Sequence, residues 1–236
     1  MKVTLPQCSE CAIRRVTLCG TFVDAAPAEY EHVARSFQQV ASKRIIFRAG
    51  TVPSSLWVLR GGWAFSYSIL NDGRRHIYYF YVPGDAIALH VNPKMPLAYS
   101  VQALTRVELC GFGYDMIRQG MKYQKFSETI VERYYDYIRV MEDRLIYVSR
   151  YSAAARIASL VLHLRDRLAK NGFLKNEVMD FPLTQSHVAD ALGLTAAHVN
   201  RMFAELRNDG ILTVGSGQLI IHEPGRLADL AKSSGG

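Results

Sequence analysis

The sequence predicts an α+β protein in which an antiparallel β jelly roll is followed by a long helix and a C-terminal winged helix-turn-helix. Three observations lead to this fold class: short strand-like runs from about residue 41 to 113, a heptad repeat from Ser127 to about Val148, and two short helical segments around Gly193. The predicted domains are a cysteine-containing segment at 1–22, a jelly roll at 23–125, a long helix at 126–150 and a winged helix-turn-helix at 151–236.

Length and composition limit the class of protein. The 236 residues suffice for two small domains, and 49% hydrophobic with 21% charged residues is typical of soluble globular proteins. No apolar run approaches the ~20 residues of a membrane span, and the N-terminus lacks the apolar stretch of a secretory signal. We therefore expect a cytoplasmic protein without membrane association. The net charge of +7 suits a polyanionic partner without locating its binding surface.

Short strands and turn residues dominate the first half of the chain. A short helical stretch is predicted first, with Pro27 in its first turn and apolar residues at Tyr30, Val33, Ala34 and Phe37. Strands are then predicted at 45–47, 56–59, 63–70 and 76–82, with turns at Gly61-Gly62, Asn71-Asp72-Gly73 and Pro83-Gly84-Asp85. Many short strands at near-regular spacing favour a double-sheet jelly roll.

A narrow apolar stripe marks the long helix. We call it the seam, and its members are Val131, Tyr134, Ile138, Met141, Leu145 and Val148. Alternating spacings of three and four residues, with charged residues off the stripe, are typical of a helix that pairs with a copy of itself. An amphipathic helix lying on its own domain would have a wider apolar face. The seam therefore favours a parallel homodimer, and a further amphipathic helix is predicted from Ser152 to Lys170.

Residues 183–212 predict a helix-turn-helix. Thr184 can cap a first helix, Gly193 supplies the turn, and Thr195 can cap a second helix ending at Gly210. The core face of the second helix is predicted to hold Val199, Phe203 and Leu206. The hairpin predicted over 213–221 would form the wing.

The second helix would enter the major groove of double-stranded DNA. Ala197, His198, Asn200 and Arg201 lie on its predicted outer face. Arg201 can donate two hydrogen bonds to guanine and Asn200 can pair with adenine, whereas Thr184 and Thr195 suit phosphate oxygens. His198 could contact a base, a phosphate or solvent.

The order of these elements, with the motifs Leu183-Thr184-Gln185, Leu192-Gly193-Leu194-Thr195 and Val199-Asn200-Arg201, resembles the Crp–Fnr family of transcription regulators along nearly the whole chain. The resemblance implies a cyclic-nucleotide-binding-like jelly roll, binding of palindromic promoter DNA, a homodimer, and RNA polymerase as a partner. Arg201 matches the family's guanine-reading arginine. Ala197 departs from it, because the best-studied branches carry a base-reading Glu there, so neither well-known half-site carries over.

One branch of the family binds a cyclic nucleotide inside the jelly roll. Gly84-Asp85 could match part of its phosphate-binding motif, but the partner arginine expected near Leu97-Ala98 is absent. A buried phosphate needs a cation or a helix N-terminus to offset its desolvation. We therefore expect no cyclic nucleotide.

The cysteines resemble those of the Fnr-like branch, which holds a [4Fe-4S] cluster. Cys8, Cys11 and Cys19 form a Cys-x2-Cys-x7-Cys motif, and Cys110 falls where that branch places a fourth ligand. Four thiolates match the four irons of a cubane cluster. The resemblance implies that oxygen or nitric oxide degrades the cluster and releases the DNA. A four-thiolate zinc site, a thiol–disulfide switch and a cysteine set without metal remain alternatives.

The sequence gives little support for an enzymatic function. A metal-dependent cupin would need closely spaced histidines on the strands, but only His76 and His90 lie in that region. Neither a nucleophile elbow nor a phosphate-binding glycine loop is present. The sequence predicts a regulator with no catalytic residues; a small-effector sensor remains an alternative input.

Overall fold

A computed structural model describes residues 8, 11–25, 36–89 and 94–233. The chain forms two compact units. The first consists of Met1–Ser68 with Phe80–Ile138, and the second of Ile69–Tyr79 with Arg139–Gly236. Among the described residues, no helix is both long and apolar enough to cross a membrane.

The strands form a jelly roll, as the sequence predicts. Its eight strands are Ser36–Val40 (β1), Ile45–Phe47 (β2), Ser55–Gly61 (β3), Ala64–Ile69 (β4), Arg75–Tyr81 (β5), Ala86–Ile87 (β6), Ser100–Ala103 (β7) and Val107–Gly113 (β8). They make two four-stranded sheets with the orders β1-β8-β3-β6 and β2-β7-β4-β5. Fully buried side chains such as Leu59, Phe65 and Phe112 form the core between the two sheets.

The short helix predicted near Pro27 is only partly within the described residues. Residues 26–35, with Tyr30, Val33 and Ala34, lie outside them. Phe37 was predicted in that helix, but it lies in β1, opposite Cys110 of β8. The helical prediction was wrong there because pairing with β8 gives this segment its backbone partners, a long-range effect that local periodicity does not contain.

Helices flank the jelly roll in sequence. A single turn of 3-10 helix at Arg14–Val16 is followed by α1 at Leu18–Ala25, and α2 spans Tyr114–Gly120. The predicted long helix is α3, Gln124–Arg150, which begins a few residues earlier than the heptad pattern. In its first turns, Phe126 and Ile130 are fully buried against the β-sheet residues of the first unit. The start of α3 is therefore set by packing.

The second unit contains the C-terminal helices and a small sheet. Its elements are α4 (Ala153–Lys170), β9 (Val178–Asp180), α5 (Gln185–Leu192), α6 (Ala196–Asn208), β10 (Leu212–Gly215), β11 (Gln218–Ile221) and α7 (Pro224–Ala231). Ser152 caps α4 by accepting a hydrogen bond from the amide of Ala155. The sheet has the order β10-β11-β9, so the predicted wing hairpin gains a third strand. This arrangement confirms the predicted winged helix-turn-helix.

Candidate DNA interface and cysteine cluster

The first helix of the helix-turn-helix begins with a reciprocal cap. The hydroxyl of Thr184 accepts a hydrogen bond from the amide of His187 (3.3 Å), and the amide of Thr184 donates to Nδ1 of His187 (3.2 Å). This arrangement satisfies two of the amides that a helix start leaves unpaired. Gly193 ends α5 in the left-handed region, at φ +67°. Both the cap residue and the turn glycine are those predicted from the sequence.

The second helix separates a core face from an exposed face. Thr195 caps α6 by accepting from the amide of His198 (3.2 Å). Val199 and Leu206 are buried as expected, whereas Phe203 is only half-buried, with its ring edge-on to Phe181. Met202 is also buried. Its burial was not predicted, because the adjacent Arg201 was assigned to the outer face of the helix. The core stripe of α6 is therefore wider than the sequence pattern.

The residues predicted to meet DNA lie along the first half of α6. Ala197, Asn200 and Arg201 are exposed, and His198 is half-buried. Thr195 and Thr184 are also exposed at the two helix starts. The array offers a guanidinium and a carboxamide, the two groups best suited to base edges, beside hydroxyls and amides at helix N-termini that suit phosphate. Ala197 adds only a methyl group.

The wing is held by its own side chains. A tight turn at Ser216 and Gly217, both with positive φ, joins β10 to β11. The hydroxyl of Thr213 lies 2.9 Å from Nε2 of His222 across the end of the hairpin. This contact joins the two ends of the hairpin close to its attachment to α6.

Three of the four cysteines share one hydrophobic cluster in the first unit. Cys19 and Cys110 are buried there, at 8% and 7% exposure, and Cys11 packs against the same cluster. Cys8 lies one turn before Cys11, whose amide donates to the carbonyl of Cys8 (3.3 Å). The fold therefore brings residues almost one hundred positions apart in sequence into one neighbourhood.

Without a metal, the buried thiols are held neutral. Burial, with smaller contributions from Cys11 and Cys8, raises the pKa of Cys19 to about 12. Burial together with the neighbouring thiols Cys19, Cys11 and Cys8 raises the pKa of Cys110 to about 12. Thiolates at Cys19 and Cys110 would repel each other, so the ionisation of both side chains is unfavourable unless a cation lies beside them.

A guanidinium lies at the edge of this cysteine group. The guanidinium of Arg60 lies beside Cys11 and forms an ion pair of 2.6 Å with Glu108. Although its burial acts in the opposite direction, these two partners raise the pKa of Arg60. The side chain is a fixed positive charge beside a loop that Arg14 and Arg15 also make basic.

The cysteine loop is too tight to admit a side chain at one position. A Cβ on Gly20 would lie 2.7 Å from the carbonyl oxygen of Arg14. Gly20, next to Cys19, therefore allows α1 to pack closely against the preceding 3-10 turn. As it stands, the described part of the chain has no group of three or more His, Cys, Asp or Glu side chains in a metal-ligating arrangement. The cysteines are neighbours, but they are not arranged as ligands.

The jelly-roll interior differs from a phosphate site. The carboxylate of Asp85 accepts a hydrogen bond from the amide of Val82 (2.6 Å) and so stabilises the turn in which it lies. Leu97, where the resemblance would place an arginine, is buried, and its backbone pairs with Gly50 and Thr51. Tyr81 is buried within the same unit beside Tyr99, and burial raises the pKa of both hydroxyls. Among these described positions, one carries a carboxylate and the others carry uncharged side chains, and none carries a cation.

The exposed face of α3 follows the seam only in part. Val131, Ile138 and Leu145 are 63%, 48% and 74% exposed, as a face awaiting a partner would be. Tyr134 instead donates its hydroxyl to the carbonyl of Leu89 (2.5 Å), while Tyr135 is exposed. Met141 is half-buried, and the side chain of Val148 lies outside the described set. One edge of the seam thus faces its own domain.

Comparisons with known proteins agree with this architecture. Residues 37–124 match the family model of the cyclic nucleotide-binding domain, and residues 155–230 match that of the Crp-like helix-turn-helix domain. The nitrogen fixation regulation protein FixK of Bradyrhizobium diazoefficiens is 27% identical over 95% of this chain and 93% of its own length. The fumarate and nitrate reduction regulatory protein of Escherichia coli is 22% identical over 95% of this chain and 90% of its own.

Solved structures show the same fold. FixK2 from Bradyrhizobium japonicum superposes with a TM-score of 0.74 at 22% identity, over 85% of this chain and 98% of that one. A CooA mutant from Carboxydothermus hydrogenoformans superposes with a TM-score of 0.65 at 16% identity, over 84% of this chain and 88% of that one.

Fold and surface together define a DNA-binding regulator with an N-terminal sensor-type domain and a C-terminal winged helix-turn-helix. The chain belongs to the Crp–Fnr family of transcription regulators, and it is not an enzyme.

Proposed function

We propose that this regulator is a homodimer that senses oxygen or nitric oxide through a [4Fe-4S] cluster held by Cys8, Cys11, Cys19 and Cys110. The observation that carries the proposal is the convergence of Cys11, Cys19 and Cys110 on one buried cluster beside α3. Free cysteines also pack as small hydrophobes, so the proposal depends on this convergence together with the spacing of Cys8, Cys11 and Cys19.

The chemistry of the donors fits such a group. The four cysteines offer four thiols, and four thiolates are the ligand set of a cubane cluster. Arg60 beside Cys11 supplies a positive charge that would offset the negative charge of a thiolate-ligated cluster. When bound, the cluster would supply a centre that small oxidants degrade.

The residues of the chain provide a route from the cysteine loop to the long helix. Ile13 and Leu18 of the loop are buried in the same cluster as Phe126 and Ile130 of α3. An ordered loop therefore completes the packing of the first turns of α3. We infer that ligand binding to the loop stabilises the first turns of α3.

A second copy of the chain is the proposed partner of the exposed α3 face. Val131, Ile138 and Leu145 repeat every seven residues on it, which is the period of a two-stranded coiled coil. A parallel dimer would present two recognition helices to a palindromic site. RNA polymerase is the expected partner of the DNA-bound dimer.

In the proposed complex, α6 lies in the major groove with Arg201 on guanine and Asn200 on adenine. Thr184 and Thr195 contact phosphates, which fix the register without reading sequence. His198, half-buried beside its cap, is within reach of either kind of contact.

The test is the metal content of protein purified without oxygen. Wild-type protein should contain about four irons and four acid-labile sulfides per chain, with visible absorption that air or nitric oxide removes. Each Cys→Ser variant should lose the cluster. Thr21→Ala is the matched control, because it removes a hydrogen bond to Leu18 from the same loop and keeps every thiol.

Other outcomes identify other sensors. One zinc per chain without sulfide would replace the cluster by a four-thiolate zinc site. A reversible disulfide between two cysteines, without metal, would indicate a thiol switch. Either result overturns the proposed cluster and leaves DNA binding intact.

A further inference from the structure

The outer part of the β4–β5 hairpin, residues 69–79, groups with the helices of the second unit. We call it the hairpin tip. By sequence it lies inside the segment that matches the cyclic nucleotide-binding domain, residues 37–124. By packing it belongs with the DNA-binding elements.

Two of its contacts fix the strand backbone and its aromatic side chains. Arg144 of α3 donates to the carbonyl oxygens of Ile77 and Tyr78. The guanidinium of Arg167, on α4, lies 4.3 Å from the centre of the Tyr79 ring. These contacts secure the base of the hairpin tip within the second unit.

The third contact reaches the helix-turn-helix itself. Nε of Arg75 donates to Oδ2 of Asp190 (2.8 Å), and Nη2 lies 2.7 Å from the same oxygen. The two side chains are only 26% and 27% exposed, although 115 residues separate them in sequence. Asp190 carries the sole carboxylate of α5, so this pair neutralises the one acidic group on the helix that Thr184 caps.

The pair lies close to the cap of α5. His187 makes the reciprocal cap with Thr184 and lies one helical turn before Asp190. Burial, followed by the charge of Arg75, lowers the pKa of His187, while Asp190 acts in the opposite direction. Arg75 therefore contacts α5 between the cap of this helix and its buried residues. Two of those residues, Val188 and Leu192, are buried in the same unit as Val199 of α6.

We propose that Arg75 is a positioning residue for DNA binding: its ion pair with Asp190 holds α5, and with it Thr184 and α6, in the arrangement that meets the double helix. The first helix of this motif crosses the DNA backbone and supports the second helix in the groove. A small displacement of α5 moves both the phosphate contacts and the base-reading residues. The proposal rests on the DNA binding of the family and is independent of the cysteine ligands.

The experiment measures binding of full-length protein, prepared without oxygen, to a fluorescein-labelled duplex recovered from random-sequence DNA by the wild-type protein. Fluorescence anisotropy gives the affinity of Arg75→Ala, Asp190→Asn and the double variant. Arg74→Ala is the matched control, since Arg74 lies in the same hairpin tip, carries the same charge and pairs with Asp72 instead of α5.

If the pair positions α5, Arg75→Ala and Asp190→Asn each weaken binding about 5- to 10-fold, and the double variant is no weaker than either, as expected of two residues that act together. The exchanged pair, Arg75→Asp with Asp190→Arg, should recover binding to within about 3-fold of wild type. Arg74→Ala should stay within about 2-fold. The slope of affinity against salt should be unchanged in Arg75→Ala, because the side chain contacts no phosphate.

Two results would overturn the proposal. If Asp190→Asn binds DNA as tightly as wild type or more tightly, the carboxylate acts only through its charge. If Arg75→Ala reduces the salt slope by about one unit, the arginine contacts phosphate directly. A readout without DNA is amide hydrogen exchange of residues 185–192, which should accelerate in Arg75→Ala and not in Arg74→Ala; equal exchange in both would also contradict it.

Discussion

The guanidinium of Arg133, on α3, donates a 2.5 Å hydrogen bond to the carbonyl oxygen of Val16 in the cysteine loop. The bond joins the long helix to the segment that carries Cys11 and Cys19 on either side of Val16. It satisfies a carbonyl that the single 3-10 turn leaves at its end. Opening of the cysteine loop and exposure of α3 are therefore physically linked.

We predict that Arg133→Ala exposes Cys19 more often in metal-free protein. Loss of a charged hydrogen bond worth about 1.5 kcal/mol should raise the rate at which a thiol reagent labels Cys19 by roughly 10-fold. Mass spectrometry of tryptic peptides measures this, since cleavage after Arg15 separates Cys19 from Cys8. Glu132→Ala is the control at the adjacent exposed position. Equal labelling in both variants would show that the loop opens independently of Arg133.

The exposed start of α6 predicts a base-specific role for Arg201. Arg201→Ala should cost about 1–3 kcal/mol on the selected duplex and relax the preference at one base pair of each half-site. Arg207→Ala is a suitable control, because Arg207 is exposed in the last turn of the same helix. The measurement is repeated selection from random DNA. An unchanged preference in Arg201→Ala would remove this residue from the readout.

The exposed face of α3 predicts that Leu145→Asp favours monomer. Burying two symmetry-related carboxylates in a dimer should cost about 3 kcal/mol or more unless they protonate. Analytical ultracentrifugation at micromolar concentration gives the subunit equilibrium. Leu145→Met keeps the apolar area and should remain dimeric.

Analytical ultracentrifugation also tests the seam of the wild-type protein. No seam member carries a charge, and Met141 adds apolar area where a carboxylate would repel its copy. We therefore predict that wild-type protein stays largely dimeric without metal, and that Met141→Asp shifts it toward monomer. A metal-free wild type that sediments as monomer, beside a dimeric metal-loaded form, would assign the switch to other residues.

His163 predicts a loss of stability in acid. Burial, with the charges of Arg167, Arg144 and Arg139, lowers its pKa from 6.5 to about 2. Below about pH 6.5 the unfolded chain takes up a proton that the folded chain does not, so the free energy of unfolding falls with falling pH. The loss is about 1.4 kcal/mol per pH unit, or about 2 kcal/mol between pH 7 and pH 5.

Urea unfolding at the two pH values measures this change. His163→Gln keeps a neutral side chain and should lose about 2 kcal/mol less than wild type over the same interval. Equal pH dependence in His163→Gln and wild type would show that the ring titrates freely in the folded protein.

Local signals were sufficient for the helix-turn-helix. Thr184, Gly193 and Thr195 act through hydrogen bonds and backbone angles within a few residues, and the structure places each in its predicted role. The seam was predicted less completely. Heptad spacing treats Tyr134 and Ile138 alike, but Tyr134 finds a carbonyl acceptor on Leu89, which is 45 residues away in sequence.

What the sequence by itself determined is the class of the protein, because turn residues, helix caps and periodic apolar positions specify elements through local interactions. The motif around Arg201 and the spacing of Cys8, Cys11 and Cys19 belong to that local information. Only the tertiary structure decided which distant groups meet: Phe37 opposite Cys110, Arg133 at the cysteine loop, and Arg75 on α5. Such contacts depend on how strands pair and helices pack, and no periodicity within one segment carries that information.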